Sequence, residues 1–168
     1  MYNQTMFQAE LLNSKTVGSI DRSRPLMLIT GSFDLLHAGH MRMFVRAREE
    51  VDEQVTLLVV VLDDANIRER KGPDRPLQDL EERIFALRAL RSIDYVMPWH
   101  SHWSGLRTFV SGLKPDYLVG VEGDSGLENK SRLIADAGGT FILLKRDPRF
   151  STTALLEKIR NTSSDEEL

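Results

Sequence analysis

Residues 26–40 read LMLITGSFDLLHAGH. Five residues that are apolar or β-branched run without alternation into Gly31, and two histidines, His37 and His40, follow at a spacing of three. The unbroken run is the pattern of a strand buried on both faces, and Gly31 lets the chain turn tightly behind it. If a helix then starts near Ala38, residues i and i+3 project from the same side of its first turn. His37 and His40 would therefore stand together at a positive helix end, beside amide groups able to face an anion. Gly39 leaves the space between the two rings free of a side chain. A metal site needs a third ligand and normally wants i, i+4 spacing or a dedicated acid. Phosphate binding is the reading taken.

The same strand pattern recurs at VTLLVVVL (55–62), DYVMPW (94–99), DYLVGV (116–121) and TFILL (140–144). Helix-like stretches lie between at 38–50, 79–91, 104–113 and 127–137, with one more at 152–161. In the second, Leu80, Ile84, Leu87 and Leu90 share one face. Strands alternating with helices mean βαβ units with right-handed crossovers. The expectation is an α/β, Rossmann-like, doubly wound sheet of five parallel strands with helices on both faces. Residues 1–24 read as a short lead-in with helical character around Phe7, Leu11 and Leu12, residues 25–161 as the domain, and 162–168 as a disordered acidic tail. Ligands of such sheets bind beyond the carboxyl ends of the strands, where residues 31–40 fall.

At 168 residues, with 41% hydrophobic and 28% charged residues, the chain has the composition of an ordinary globular domain. A net charge of −3 gives no reason to expect nucleic-acid or anionic-membrane partners. A polyanionic ligand must be met by cations placed locally. The absence of cysteine excludes disulfides and thiolate chemistry. No apolar run is long enough to span a membrane and no leader pattern is seen, so a cytoplasmic location is expected.

Four further segments follow strands. Lys71-Gly-Pro-Asp-Arg75-Pro reads as a stiff basic loop able to hold Lys71 and Arg75 with little entropy cost, or as a solvated loop. Arg83, beyond it, reads as an anion contact or as a surface ion-pair partner. Arg146 with Ser151, Thr152 and Thr153 forms a second helix start, either a plain cap or a second phosphate site on the same sheet edge as His37 and His40. The turn Val121-Glu-Gly123-Asp124-Ser125 either binds a ligand hydroxyl or is simply a loop. His100 and His102, beside Trp99 and Trp103, read as a loop or as a metal or stacking site.

GSFDLLHAGH, with its HxGH core His37-Ala38-Gly39-His40, resembles the cytidylyltransferase-like nucleotidyltransferases, and the likeness extends over about residues 25–161. Within that family KGPDRP, the following helix, DYVMPW and LKPDYLV resemble the adenylyltransferase domain of bifunctional ADP-heptose synthases. LLKRDPRFSTT is similar to the end of glycerol-3-phosphate cytidylyltransferases. Two departures are visible. The heptose enzymes carry KGGD where this chain has Val121-Glu122-Gly123-Asp124, and Arg149 stands where a glycine is usual.

The resemblance implies transfer of a nucleoside monophosphate from an NTP, ATP favoured, to a phosphorylated acceptor such as a heptose 1-phosphate, with release of pyrophosphate. Its alternatives are CTP with a glycerol-3-phosphate-type acceptor, FMN as acceptor (archaeal-type FAD synthases share a similar GTFDLLHPGH), or nucleotide binding without turnover. It implies His37, His40 and Lys71 as catalytic groups. It implies Gly31, Ser32, Phe33, Asp34, Gly39, Arg146, Ser151, Thr152 and Thr153 as the nucleotide and phosphate site. Arg75, Arg83, Gly123 and Asp124 become acceptor-binding candidates. Mg²⁺ would arrive with the NTP, no protein metal site is expected, and a homodimer is usual for the relatives.

Overall fold

A computed structural model describes residues 7–51, 54–124 and 126–164. Six parallel strands form one sheet: β1 (Glu10–Leu11), β2 (Leu26–Gly31), β3 (Thr56–Leu62), β4 (Tyr95–Trp99), β5 (Tyr117–Val121) and β6 (Thr140–Leu144). Their order is β1-β4-β3-β2-β5-β6. The chain thus moves outward from β2 to β3 and β4, then crosses back to β5 on the other side of β2. The reversal puts the topological switch between β2 and β5, where Leu28 registers with Leu118 and Ile29 with Val119.

The helices are α1 (Ala38–Glu49), α2 (Asp64–Lys71), α3 (Leu80–Arg88), α4 (Leu106–Leu113), α5 (Leu127–Asp136) and α6 (Thr152–Ser164). Alternate strand residues feed two cores. Met27, Ile29, Val59 and Val119 pack with Phe44 of α1 and Leu87 of α3. Leu28, Leu58, Val60 and Leu118 pack with Ile67 of α2, Val110 of α4 and Ile134 of α5. Residues facing opposite ways along each strand explain why the runs are apolar at every position.

The structure corrects four expectations. The sheet has six strands, because Glu10–Leu11 pairs with Tyr95 and Val96 of β4. The lead-in is accordingly extended at that point where helical character was expected, with Ala9 and Leu12 buried on either side of the pair. Two residues of edge pairing leave no periodic signal. Lys71 closes α2 instead of lying in a loop; Asp63 caps that helix by accepting from the Asn66 amide, and Gly72 ends it at φ 98°. Finally, α6 continues to Ser164, into the stretch expected to be disordered. Residues 165–168 of that stretch, like Ser125, lie outside the described residues.

Candidate active site

Behind β2 the backbone enters the left-handed region at two residues that are not glycine, Phe33 (φ 51°) and Leu35 (φ 62°). Such conformations persist only where surroundings impose them. Asp34, between them, has a fully buried carboxylate that accepts from the amides of Leu77 (2.9 Å) and Gln78 (3.0 Å) and pairs with Arg75 (2.5 Å). Its role is to hold the turn and the basic loop together.

The turn delivers the chain into α1 with His37 as N-cap. The His37 Nδ1 accepts from the Gly39 amide at 3.1 Å, which leaves the ring proton on Nε2. The two imidazoles stack at 4.0 Å between centroids, with Phe33 edge-on to His40 at 5.6 Å. A methyl group on Gly39 would lie 2.8 Å from the His37 ring and 2.8 Å from the Phe150 Cβ, so only glycine admits both neighbours. Burial, then His37, then Lys71 push the His40 pKa down to about 3. Burial and Arg146 lower that of His37. The pair is therefore neutral at pH 7 and offers N–H donors rather than charge.

These groups line a cavity of about 540 Å³ at the carboxyl edge of the sheet. The cavity collects eight lysine or arginine side chains against three aspartates, in a chain that is acidic as a whole. His37, His40, Lys71, Gly31, Ser32, Phe33, Asp34 and Gly39 all line it, and so do Arg146, Ser151, Thr152, Thr153, Arg75 and Asp124. Burial and Arg75 lower the Lys71 pKa. At the α6 start the Ser151 hydroxyl accepts from the Ala154 amide, and the Thr152 hydroxyl donates to the Asp34 carbonyl. Thr152 thus fastens the helix to the β2 turn, while Ser151 caps the first turn of the helix itself. Arg149 turns onto Asp147, whose pKa its hydrogen bonds draw down to about 2.

Two acceptor candidates are placed elsewhere. Arg83 is neither a pocket cation nor a surface group: it is completely buried. Its guanidinium donates to the carbonyls of Gln78 (3.0 Å), Ser32 (2.6 Å) and Leu62 (2.7 Å) and pairs with Asp64 (2.6 Å). Gly123, at φ 82°, lies outside the cavity lining, against Arg146. His100 and His102 are exposed and face Asp63 and Glu69 at 3.6 and 3.4 Å, away from the cavity. Several cations absent from the motif reading also line it, among them Arg42 and Arg46 of α1 and Lys130 of α5, the last only 7% exposed. Among the described residues no helix is long and apolar enough to cross a membrane.

A strand–turn–helix unit on a parallel sheet with reversed strand order defines a Rossmann-like fold. Residues 28–158 match the family model described as cytidylyltransferase-like, and the chain belongs to that family of nucleotidyltransferases. It is 35% identical over 137 residues to the bifunctional protein HldE of Pseudomonas putida strain F1, covering 80% of this chain and 28% of that protein. To the HldE protein of Salmonella arizonae it is 31% identical over 160 residues, 92% of this chain and 31% of the relative. The chain thus spans under a third of the length of these relatives. In fold it is similar to a lipopolysaccharide core biosynthesis protein from Thermoplasma volcanium, with TM-score 0.59 and 24% identity over 74% of this chain and 98% of that one. A macrolide-efflux protein from Streptococcus pneumoniae shares the fold at TM-score 0.60 and 15% identity, over 90% of this chain and 57% of that one.

Proposed function

We propose that this chain transfers AMP from ATP to a phosphorylated sugar of the heptose 1-phosphate type and releases pyrophosphate. The observation that carries the reading is the cavity itself, where a neutral histidine pair and a hydroxyl-bearing helix start line one strongly cationic space. The choice of ATP and of a sugar phosphate rests on the resemblance of KGPDRP and its flanking segments to ADP-heptose synthases, and the similarity to HldE proteins supports it.

In the reaction an acceptor phosphate oxygen attacks the α-phosphorus while the bond from that phosphorus to the bridging oxygen breaks. Pyrophosphate carries away the electron pair. The nucleophile is already ionised near pH 7, so no residue needs to remove a proton, which fits an Asp34 wholly engaged in structure. Catalysis then rests on positioning and on stabilising charge at the phosphoryl oxygens. His37 and His40 would donate to the triphosphate, the turn at Ser32 and Phe33 would receive the α-phosphate, and Ser151 and Thr152 with the α6 amides would receive the outer phosphates. Lys71 and Arg75 would face the incoming acceptor phosphate. Among the described residues no three histidines or acids converge to hold a metal. Mg²⁺ would arrive with the NTP, held by its phosphates and water and offsetting their charge. The enzyme would work as a homodimer in the cytoplasm.

The test is a matrix of the four NTPs against heptose 1-phosphate, glycerol 3-phosphate and FMN, read as pyrophosphate release with Mg²⁺ present. The expected signal is ATP with the sugar phosphate. Nucleotide binding without pyrophosphate from any pair would overturn the reading in favour of a binding module.

A further inference from the structure

Lys130 lies in the first half of α5, in the polar run Leu127-Glu-Asn-Lys-Ser-Arg132. Its neighbours in sequence, Glu128, Asn129 and Arg132, are exposed, but its own side chain points inward through the helical layer. The Nζ reaches the carbonyl of Thr30 at 3.4 Å and the carboxylate of Asp124 at 3.5 Å. Both contacts are at the outer limit of hydrogen bonding, and an ammonium group has three N–H bonds to place. A buried charge with such loose partners adds little to folding, because two long contacts do not offset its lost hydration. Its position is better explained by what it faces.

Thr30 is next to the last residue of β2, and Val121 ends the adjacent β5; both line the cavity. The switch between these strands is where the phosphate grip begins. α1 packs on one face of the sheet and α5 on the other. The Lys130 ammonium therefore enters the crevice from the face opposite the histidines. Those histidines are neutral, so the charge opposing a phosphate there has to come from elsewhere. The Lys130 pKa is lowered, chiefly by burial and further by Arg70, with Asp124, in contact, pulling the other way.

We infer that Lys130 is a phosphate ligand of the bound nucleotide, opposing the histidine pair across the β2–β5 crevice and contacting the phosphoryl group that is transferred. The inference rests on the nucleotidyltransferase reading for the last of these roles, but not for phosphate binding.

The experiment compares wild type with K130M and K130Q. Calorimetric titration with inorganic tripolyphosphate is the first readout, pyrophosphate release in the active NTP–acceptor pair the second, and thermal melting the third. K130M replaces the charge by an apolar chain of similar length, so its melting temperature should hold or rise. K130Q retains a donor for Thr30 and keeps the inference open to refutation should K130M not fold. Both should bind tripolyphosphate about tenfold or more weakly, the loss of a charge-assisted hydrogen bond. Turnover should fall on the order of 100-fold or more. The double variant V121K/K130M puts an ammonium back at the end of β5 and should recover tripolyphosphate binding. Unchanged tripolyphosphate affinity in folded K130M or K130Q would overturn the inference and leave Lys130 as a partner of Asp124 only. If wild type yields no pyrophosphate at all, the reaction falls while the titration still decides Lys130. Full activity in the variants removes Lys130 from the site and leaves the reaction standing.

Discussion

Arg83→Met tests whether the arginine three residues into α3 is a clamp or a ligand. In the structure its guanidinium is fully buried and serves three carbonyls and one carboxylate, drawn from the turn at Ser32, the end of β3 at Leu62, the loop at Gln78 and the start of α2 at Asp64. Methionine keeps most of the aliphatic stem, so little cavity is made. What remains is a carboxylate and three carbonyls with their donor gone. Breaking a buried pair in this way costs about 3–5 kcal/mol. At about 2–4 °C per kcal/mol for a domain of this length, the melting temperature should fall by roughly 6–20 °C. Arg83→Lys retains the charge but not the planar fork, and should fall between the two. Differential scanning calorimetry gives the shift, and acceptor KM measured well below the transition gives the second coordinate. A ligand arginine would behave in the opposite sense. If R83M melts within about 2 °C of wild type, less than the shift expected for 1 kcal/mol, while acceptor KM rises, the clamp assignment is wrong.

Two other perturbations probe the histidine pair. Gly39→Ala drives a methyl group to 2.8 Å from the His37 ring and the Phe150 Cβ, so the ring must move; kcat should fall on the order of 100-fold, and steady-state kinetics with wild-type kcat would refute it. His40, held neutral with a pKa of about 3 against 6.5 in the unfolded chain, makes the unfolded state the better proton binder between those values. Its contribution is complete above pH 6.5 and is lost as pH falls toward 3, by about 2 kcal/mol at pH 5. Urea unfolding at pH 7 and pH 5 should show a correspondingly larger loss in wild type than in His40→Gln; parallel losses would show that His40 is not buried neutral.

The central strands were legible because burial on both faces makes every residue apolar, as in VTLLVVVL. The capped helices and the glycine turn at 31–40 were legible for similarly local reasons. What escaped was decided by partners far away in sequence. The pairing of Glu10–Leu11 with β4 is set across 84 intervening residues and has no pattern of its own. α2 escaped because Asp63 caps a segment whose only buried apolar residue is Ile67. Arg83 did leave a signal: with Leu80, Ile84 and Leu87 it completes the i, i+3, i+4, i+7 stripe, so it had to face inward. A charged residue on an apolar stripe is a buried clamp unless a ligand waits behind it. Lys130 left none, because Glu-Asn-Lys-Ser-Arg reads as a solvated face until the sheet behind it is known.

The reversal of strand order accounts for which motifs reach the site. All the parallel strands present their carboxyl ends to one edge, so each following segment was a candidate. The cavity is nevertheless lined by the segments after β2, β5 and β6, and by Lys71 and Arg75, which return from β3 through α2. Those after β4, with His100 and His102, do not line it. β4 is two strands from β2, roughly 10 Å across the sheet at the usual strand spacing, on the side away from the switch. Distance from the β2–β5 crevice therefore separates histidines of equal chemical promise. It also divides the labour at the crevice. α1, on one face, contributes rings kept neutral by burial, which give directed N–H donors. The lysines and arginines supply the charge, with Lys130 reaching in from the other face. A polyphosphate in this space would meet directed N–H donors from the histidines and cations from both faces, Arg42 and Arg46 of α1 among them. An acidic chain can bind an acidic substrate on these terms, because the charge balance that matters is set within one cavity.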